Sequence, residues 1–257
     1  MWTIRQQQLD AFHRQHLLQF EDSMALHLSQ FAPKHWRVIG DQTGREVIRF
    51  GIDQAKRYGF TNRGPVRFYL ELMFIFGSYF DTDPQLPWIR PLLNPAENAN
   101  QMVRADRLFA AFNQYIARVR GLKHEYFIAA LKRLLTVPLE SLLIAGTPLE
   151  DCAVRAFEAI YPEPLEYLGE AALRTVIRRN FATGQSYGLT DDKALLLMVG
   201  FGCFMGHGFA NDPLCGWIGR RLDSKQVLSE AHRTEELYNR GMLYLKQVLA
   251  RDSRENT

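Results

Sequence analysis

The chain resembles itself over a long stretch. When it is laid over itself at an offset of 129 in the numbering, residues 20–61 align with residues 149–190 without a gap. Eleven of these 42 positions carry the same amino acid, whereas average usage gives about 6% by chance. The identical pairs are Glu21/Glu150, Asp22/Asp151, Pro33/Pro162, Gly40/Gly169, Arg45/Arg174, Val47/Val176, Ile48/Ile177, Arg49/Arg178, Tyr58/Tyr187, Gly59/Gly188 and Thr61/Thr190. Repeated sequence implies repeated supersecondary structure, so we expect two similar units.

The similarity continues beyond residue 61 if two gaps are allowed. Met73 and Gly77 align with Met198 and Gly202 if the second copy is four residues shorter there, and four extra residues around Gly206 then restore the offset. The pairs that follow are Phe80/Phe209, Asp83/Asp212, Pro84/Pro213, Trp88/Trp217 and Ile89/Ile218. Compensating insertions belong in loops, which favours homologous copies.

Each copy has the size of a domain. We therefore expect two related helical halves, residues 1–128 and 129–257, with the junction near residues 134–138. No Gly/Ser-rich or Pro-rich linker separates them, so they are expected to pack together as one compact unit. By analogy with isologous dimers, we expect a pseudo-two-fold axis between them.

Apolar residues recur at helical spacing through most of the chain. From residue 9 to residue 31 they lie three or four residues apart, and the pattern stops before Pro33. Residues 66–76 and 195–204 are apolar on nearly all sides, which is typical of central, buried helices. Short alternating β-branched runs and Asn-Gly hairpin signals are missing, so the sequence predicts an all-α fold.

Composition and charge exclude several classes of protein. Of the 257 residues, 47% are hydrophobic and 23% charged, which excludes a disordered or collagen-like chain. The net charge of +3 is too small to indicate a nucleic-acid partner. The most apolar run, residues 195–205, is too short to cross a membrane, and the start of the chain lacks the pattern of a secretory signal. We expect a soluble, cytoplasmic protein without a membrane partner.

Motifs typical of enzymes and cofactor sites are missing. The chain has no G-x-S-x-G elbow, phosphate loop, H-E-x-x-H pair or Rossmann fingerprint. Its three cysteines, Cys152, Cys203 and Cys215, lack the paired spacing of a zinc site. We therefore expect no cofactor and no metal.

The strongest candidate for catalysis is His207, which lies between two glycines and five residues before Asp212. A histidine near a carboxylate can act as a base or as a metal ligand. A metal-dependent hydrolase centred on His207, with Asp81, Asp83 or Asp212 nearby, is therefore an alternative to a binding protein. Because Asp83-Pro84 recurs as Asp212-Pro213, helix capping is the favoured role of these two aspartates.

The recurring aromatic residues suggest a surface for a protein partner, since aromatic side chains anchor many interfaces. The candidate partner-binding residues are Tyr58, Arg63, Phe80, Asp83, Trp88 and Trp217. For each aromatic member taken alone, burial in the core is the favoured interpretation.

One string of residues has a family resemblance. It runs Tyr58-Gly59-Phe60-Thr61-x-Arg63-Gly64-Pro65, then Tyr69-Leu70-x-Leu72-Met73, Gly77, and Phe80-Asp81-x-Asp83-Pro84-Gln85-Leu86-Pro87-Trp88. It resembles uncharacterised helical bacterial proteins associated with type VI secretion gene clusters, beside toxin effectors and their adaptors. The resemblance covers residues 45–90, with a degenerate echo in 174–218.

The resemblance implies a non-enzymatic accessory role in the cytoplasm. The protein would be a chaperone, co-chaperone or adaptor, and its partner a secreted effector or the adaptor of that effector. A toxin immunity protein is the alternative that the same resemblance allows. It implies no catalytic residue.

Overall fold

The chain is helical throughout the part that the structure describes. The computed structural model describes residues 6–250, apart from the side chains of residues 6–11 and 13. These residues form 12 α-helices and five shorter 3-10 or π-helical turns, without a β-strand among them. The α-helices are α1 (Gln6–Phe31), α2 (Pro33–Arg57), α3 (Arg63–Phe76), α4 (Ile89–Leu93), α5 (Gln101–Tyr115), α6 (Glu125–Thr136), α7 (Leu149–Ile160), α8 (Pro162–Leu168), α9 (Glu170–Ser186), α10 (Asp192–Met205), α11 (Gly216–Leu222) and α12 (Glu230–Leu249).

The predicted all-α class is confirmed. Between residues 6 and 250, no helix combines the length and hydropathy that crossing a bilayer requires. The ends of the two predicted halves, residues 1–5 and 251–257, lie outside the described residues.

Two apolar helices, α3 and α10, supply much of the core, as the sequence predicts. Each contains 14 residues, and their first residues, Arg63 and Asp192, are equivalent at the offset of the sequence repeat. The carboxylate of Asp191 caps α10 by accepting hydrogen bonds from the backbone N–H groups of Lys193 and Ala194. Packed side chains cover most of both helices, which suits their largely apolar sequence.

The structure corrects the two gaps expected after residue 61. Gly77 ends α3 and Gly206 ends α10, and both have positive φ, 96° and 87°. Gly202, which the sequence alignment pairs with Gly77, lies inside α10 against the side chain of Asn180. The two helices and their terminating glycines therefore keep the original offset without an insertion.

The same ion-pair geometry occurs twice. Arg49 donates two hydrogen bonds to the Glu21 carboxylate, at 2.8 and 2.9 Å, and Arg178 donates two to Glu150 at the same distances. These bonds hold the pKa of both carboxyl groups below the usual value. Glu21 is buried and Glu150 is half-buried, so the first pair is the better shielded from water.

Two buried arginines join the ends of helices. Arg104 donates hydrogen bonds to carbonyl oxygens at the ends of α2 and α4. Arg233, its equivalent in the second half, does the same at the ends of α9 and α11. Neither guanidinium has a carboxylate within 4 Å in the described part of the chain. The partial negative charge of helix C-termini therefore balances both cations.

One hydrophobic core contains residues from both predicted halves. Leu28, Met73 and Phe80 belong to it, and so do Met198 and Phe209. A smaller apolar cluster lies within the second half, where α7, α9 and α10 meet. The halves are therefore packed against each other and share buried surface.

Backbone packs directly on backbone where α3 and α10 end. A Cβ atom on Gly77 would lie 2.6 Å from the carbonyl oxygen of Met205, and a Cβ atom on Gly206 would overlap the carbonyl oxygen of Phe76. Each glycine thus lies against the last residue of the other helix. The extended backbone with positive φ at both positions is a conformation that only glycine adopts without strain.

Replacing Gly206 by alanine should destabilise the fold by about 3 kcal/mol, because a strained backbone is combined with overlap on the Phe76 carbonyl. The control is Gly200→Ala in the same helix, where a Cβ atom meets nothing within 4 Å. There alanine should be neutral or stabilise by up to about 1 kcal/mol. Urea unfolding followed by circular dichroism measures both variants. A Gly206→Ala protein as stable as wild type would contradict the described backbone contact.

Replacing Glu21 by glutamine should lower the free energy of unfolding at pH 7 by about 2 kcal/mol, because a buried acceptor of arginine hydrogen bonds loses its charge. The pKa of Glu21 in the fold lies below its ordinary value of 4.5, so the pair stabilises the fold above that pH. Its contribution disappears as the pH falls through the folded pKa, and the difference between the two proteins should shrink there.

The matched control for this prediction is Glu150→Gln, which removes a pair with the same geometry around a more exposed carboxylate. Its loss should be smaller than that of Glu21→Gln. Urea unfolding between pH 3 and pH 7 compares the two variants. If both variants lost the same unfolding free energy at every pH, the two ion pairs would make no specific contribution to stability.

Candidate functional site

Two buried carboxylates connect the ends of α3 and α10. Asp83 accepts a hydrogen bond from the backbone N–H of His207 at 3.0 Å, and Asp212 accepts one from the backbone N–H of Ser78 at 2.7 Å. Each carboxylate also accepts from the backbone N–H two residues further along its own turn. The Asp-Pro pairs in the sequence predict the local capping. They do not predict the reciprocal hydrogen bonds between the two halves.

The Asp212 carboxylate is strongly desolvated. Burial raises its pKa, while the hydroxyl and the backbone N–H of Ser78 act in the opposite direction by donating hydrogen bonds to it. The Ser78 hydroxyl lies 2.6 Å from Oδ1 of Asp212. With these donors around it, the group has the surroundings of a structural carboxylate.

The imidazole of His207 lies beside Thr82 and Asp83. Its Nε2 atom is 3.2 Å from the Thr82 hydroxyl, and its Nδ1 atom is 3.5 Å from Oδ2 of Asp83. The second distance is too long for a good hydrogen bond, and Nδ1 is buried without a partner among the described residues. The same Asp83 oxygen instead accepts from the backbone N–H of His207.

Asp83, His207 and Thr82 lie in the order carboxylate, imidazole, hydroxyl, which is the order of the groups in a catalytic triad. Their hydrogen bonds differ from those of a triad. In a working triad the carboxylate accepts a hydrogen bond from the ring and fixes its orientation and tautomer. In this protein the carboxylate binds the backbone of His207. The Thr82 hydroxyl also lies 3.2 Å from the carbonyl oxygen of Tyr79, to which it can donate its proton. This geometry does not activate Thr82 as a nucleophile.

A small cavity lies next to Asp83. Its volume is about 30 Å³, and Arg120, Cys203 and Tyr161 are among the residues that line it. That is room for about two water molecules and far below the volume of a site for an organic substrate. Burial raises the pKa of Cys203, so its thiol stays protonated at neutral pH.

Among residues 6–250, no three His, Cys, Asp or Glu side chains come together in a way that could hold a metal ion. The hydrolase considered from the sequence would need such a set around His207. Asp81 is directed elsewhere, since one of its oxygens accepts a hydrogen bond from the Tyr58 hydroxyl at 2.8 Å. Burial first, and then this bond, raises the pKa of Tyr58 and keeps the phenol protonated.

The six predicted partner-binding residues do not form one surface. Three are buried: Phe80 (1% exposed), Asp83 (5%) and Trp217 (8%). The side chains of these three residues pack inside the fold. Tyr58 and Trp88 are half-buried, and Arg63 at the start of α3 is exposed.

An exposed apolar surface lies on α3 and α5. Phe109 (53% exposed) and Met102 (45%) are on α5, and the half-buried Phe68 is on α3. The rings of Phe68 and Phe109 meet edge to face, with their centres 5.5 Å apart. We define these three residues as the α3 face.

Hydrogen bonds hold the starts of the two helices side by side under this surface. The side chain of Gln101 accepts from the backbone N–H groups of Thr61 and Asn62, at 2.7 and 2.9 Å. Met102 and Phe109 are seven residues apart and therefore lie on the same side of α5. The α3 face is thus carried by two helices whose relative position is fixed.

The corresponding side of α10 is covered by the chain itself. The 3-10 turn Leu139–Leu142 packs on α10, and its leucines belong to an apolar cluster that also includes Leu197 of α10 and Tyr238 of α12. Within that turn, Glu140 forms an ion pair with Lys193 of α10. At the offset of the sequence repeat, Leu197 and Tyr238 are the equivalents of Phe68 and Phe109, so the two surfaces occupy matching positions in the sequence.

The sequence pattern did not single out Phe68, Met102 and Phe109 as surface residues. It selected aromatic residues that recur in both copies, and the equivalents of these three positions in the second half carry other residue types. A different sequence signal indicates that Phe109 is exposed. Phe109 directly follows the buried Leu108, so it falls outside the apolar stripe of an amphipathic helix.

No family model matches this chain, and neither a curated protein nor a solved structure matches it. The interpretation of the site therefore depends on its own geometry.

Replacing Asp83 by alanine should cost about 3 kcal/mol of stability, because the buried N–H groups of His207 and Gln85 lose their acceptor. His207→Ala is the control, since it removes the ring and keeps the backbone N–H that Asp83 binds. It should cost about 1 kcal/mol or less. Thermal or urea unfolding measures both. If the loss for His207→Ala equalled that for Asp83→Ala, the imidazole would carry the interaction, and the backbone N–H of His207 would not be the main partner of Asp83.

Proposed function

We propose that this protein is a non-enzymatic accessory factor that binds another protein through the α3 face. The observation that carries the proposal is the exposure of Phe109 and Met102 beside Phe68. Large aromatic side chains are among the residue types that dominate binding energy at interfaces. Grouped exposed apolar side chains mark interaction sites on soluble proteins.

We further propose that the two halves, near residues 1–128 and 129–257, arose by duplication and are related by a pseudo-two-fold axis. In an isologous interface, if one residue contacts a second, the equivalent of the second contacts the equivalent of the first. The bonds from His207 to Asp83 and from Ser78 to Asp212 have this form, because Ser78 is the equivalent of His207 and Asp83 that of Asp212. The repeated glutamate–arginine pairs support the same relation.

The partner that we propose is a secreted toxin effector or its adaptor, met in the cytoplasm. The protein would act as a chaperone, co-chaperone or adaptor for type VI secretion. The support is the resemblance of residues 45–90 to proteins associated with such gene clusters. Most of that string is buried, with Tyr69, Leu72 and Phe80 in the core, while Arg63 lies at its exposed end.

Two other functions fit the molecule less well. An immunity protein often opposes a basic toxin with an acidic surface, and the net charge of this chain is +3. A metal-dependent hydrolase centred on His207 would need a set of ligands that residues 6–250 do not provide. The binding role is therefore the one we propose.

The replacement Phe109→Ser should reduce partner binding about tenfold, because an exposed aromatic anchor is lost while the core is untouched. Tagged wild-type protein and the variant are incubated with native lysate, and the captured proteins are quantified by mass spectrometry. The matched control is Val227→Ser, an apolar-to-polar change at a residue that is 83% exposed and belongs to a different part of the chain.

A protein captured equally by wild type and Val227→Ser, and much less by Phe109→Ser, is the expected result. Circular dichroism should show all three proteins folded to the same extent. Capture that does not depend on Phe109 would contradict the proposal. A purified toxin whose activity the protein abolishes would favour the immunity role.

A further inference from the structure

A groove lies between α11 and α12. Trp217 and Arg221 line it from α11, where their spacing of four residues places them on one side of the helix. Glu236, Arg240 and Leu243 line it from α12, at spacings of four and three that also share one side. We call the space that these five residues line the α11–α12 groove.

The groove has the size of a small-molecule site. Its volume is about 490 Å³, and ligand sites typically measure about 300–1,000 Å³. The cavity next to Asp83, by contrast, has a volume of about 30 Å³. Along α12, the rise of seven residues from Glu236 to Leu243 is about 10 Å. This length fits a molecule with one ring and a short chain.

The cation of the groove that a ligand can reach is Arg240. It is exposed, and its guanidinium lies 5.3 Å from the centre of the Trp217 ring. The ring of Phe201 meets this indole edge to face, with the centres 5.7 Å apart, so the ring beneath the guanidinium is packed in place. Among residues 6–250, no carboxylate lies within 4 Å of Arg240. Its N–H groups can therefore donate two parallel hydrogen bonds to an incoming carboxylate.

The other charged side chains of the groove are paired with each other. The Arg221 guanidinium lies 2.5 Å from one oxygen of Glu236, and Nε2 of His232 lies 3.2 Å from the other oxygen. With two arginines and one glutamate, the lining carries one unit of positive charge when His232 is neutral. A ligand with a single negative charge balances it.

Apolar surface lies beside the available cation. Leu243 follows Arg240 by three residues and is 55% exposed, although it belongs to the lining of the groove. Leu237, another lining residue, is fully buried beneath. An apolar ligand body that covers Leu243 removes hydrophobic surface from water, which favours binding.

We propose that the α11–α12 groove binds a small organic monocarboxylate with an aromatic or branched apolar body. The carboxylate accepts hydrogen bonds from Arg240, and the body packs on Leu243 beside the indole of Trp217. This inference goes beyond the proposed function, since it assigns a small-molecule site to helices that do not carry the α3 face.

The test is a titration of the ¹⁵N-labelled full-length protein with 4-phenylbutyrate, followed by the N–H signals of the indole rings. The chain has four tryptophans, so each reports on a different place. The Trp217 signal should shift and saturate, whereas those of Trp36 and Trp88 should stay unchanged. A dissociation constant of about 1 mM is expected for a ligand of about twelve non-hydrogen atoms.

Three variants test the residues of the groove. Arg240→Gln should weaken binding about tenfold and Leu243→Ser about threefold. The matched control is Arg107→Gln, which removes the charge of an exposed arginine on α5 and should leave binding unchanged. Arg240 and Leu243 are both exposed, so circular dichroism should show all three variants folded like wild type.

A double-mutant cycle tests the pair of carboxylate and guanidinium. The uncharged analogue 4-phenylbutanamide should bind wild type about tenfold more weakly than the acid. Arg240→Gln should bind the acid and the amide equally well.

Four results would overturn the inference. They are the absence of a saturable shift of the Trp217 signal at millimolar ligand, a shift confined to the other tryptophans, equal binding of acid and amide by wild type, and equal binding of the acid by Arg240→Gln and wild type. None of them bears on partner capture through Phe109, so the proposed function is tested separately.

Discussion

The contact between the ends of α3 and α10 fixes the rest of the structure. Both helices end in a glycine whose Cα lies against the other helix's last carbonyl, so no side chain separates the two backbones. The N–H groups just beyond the glycines, of Ser78 and His207, are bound by carboxylates from the opposite half. The ends of both helices are therefore fixed in position and direction by groups that have little freedom.

Because each carboxylate also caps its own turn, this contact extends into the following elements. Asp83 holds the turn that leads to α4, and Asp212 holds the turn that leads to α11. The buried Arg104 then bonds to the end of α4, and Arg233 to the end of α11. A short chain of directional bonds thus runs in each half from the central contact to the long helix that closes it.

The sequence predicted the elements well and the contacts between them poorly. Helix periodicity, the Asp-Pro caps and the stop at Pro33 are local signals, and they predicted the all-α class and most helix positions. The Asp83–His207 hydrogen bond joins residues that are 124 apart in the chain, and the two residue types alone do not predict it. The alignment of Gly77 with Gly202 failed for a related reason. It matched a local Met-x-x-x-Gly spacing, whereas the end of the helix at Gly206 decides which glycine is equivalent.

Residues that recur at the offset of 129 identify packed positions more readily than exposed ones. Phe80 and Trp217, for example, are buried, and close packing constrains the residue type at a core position. An exposed position is under less of this constraint. Phe109 and Met102 illustrate this, since both are exposed and both differ in residue type from their counterparts.

The exposed surface of α3 differs in its residue types from a hydrophobic core surface that is merely uncovered. Leu196 is buried in α10, whereas the exposed Arg67 stands at that position in α3 and pairs with Glu71 at 2.8 Å. His27 of α1 lies 2.7 Å from the same carboxylate. A wholly apolar face would promote aggregation, and interspersed charges reduce that risk. The polar side of α3, which faces α1, is therefore adapted to water, while the aromatic side next to α5 carries no such charges.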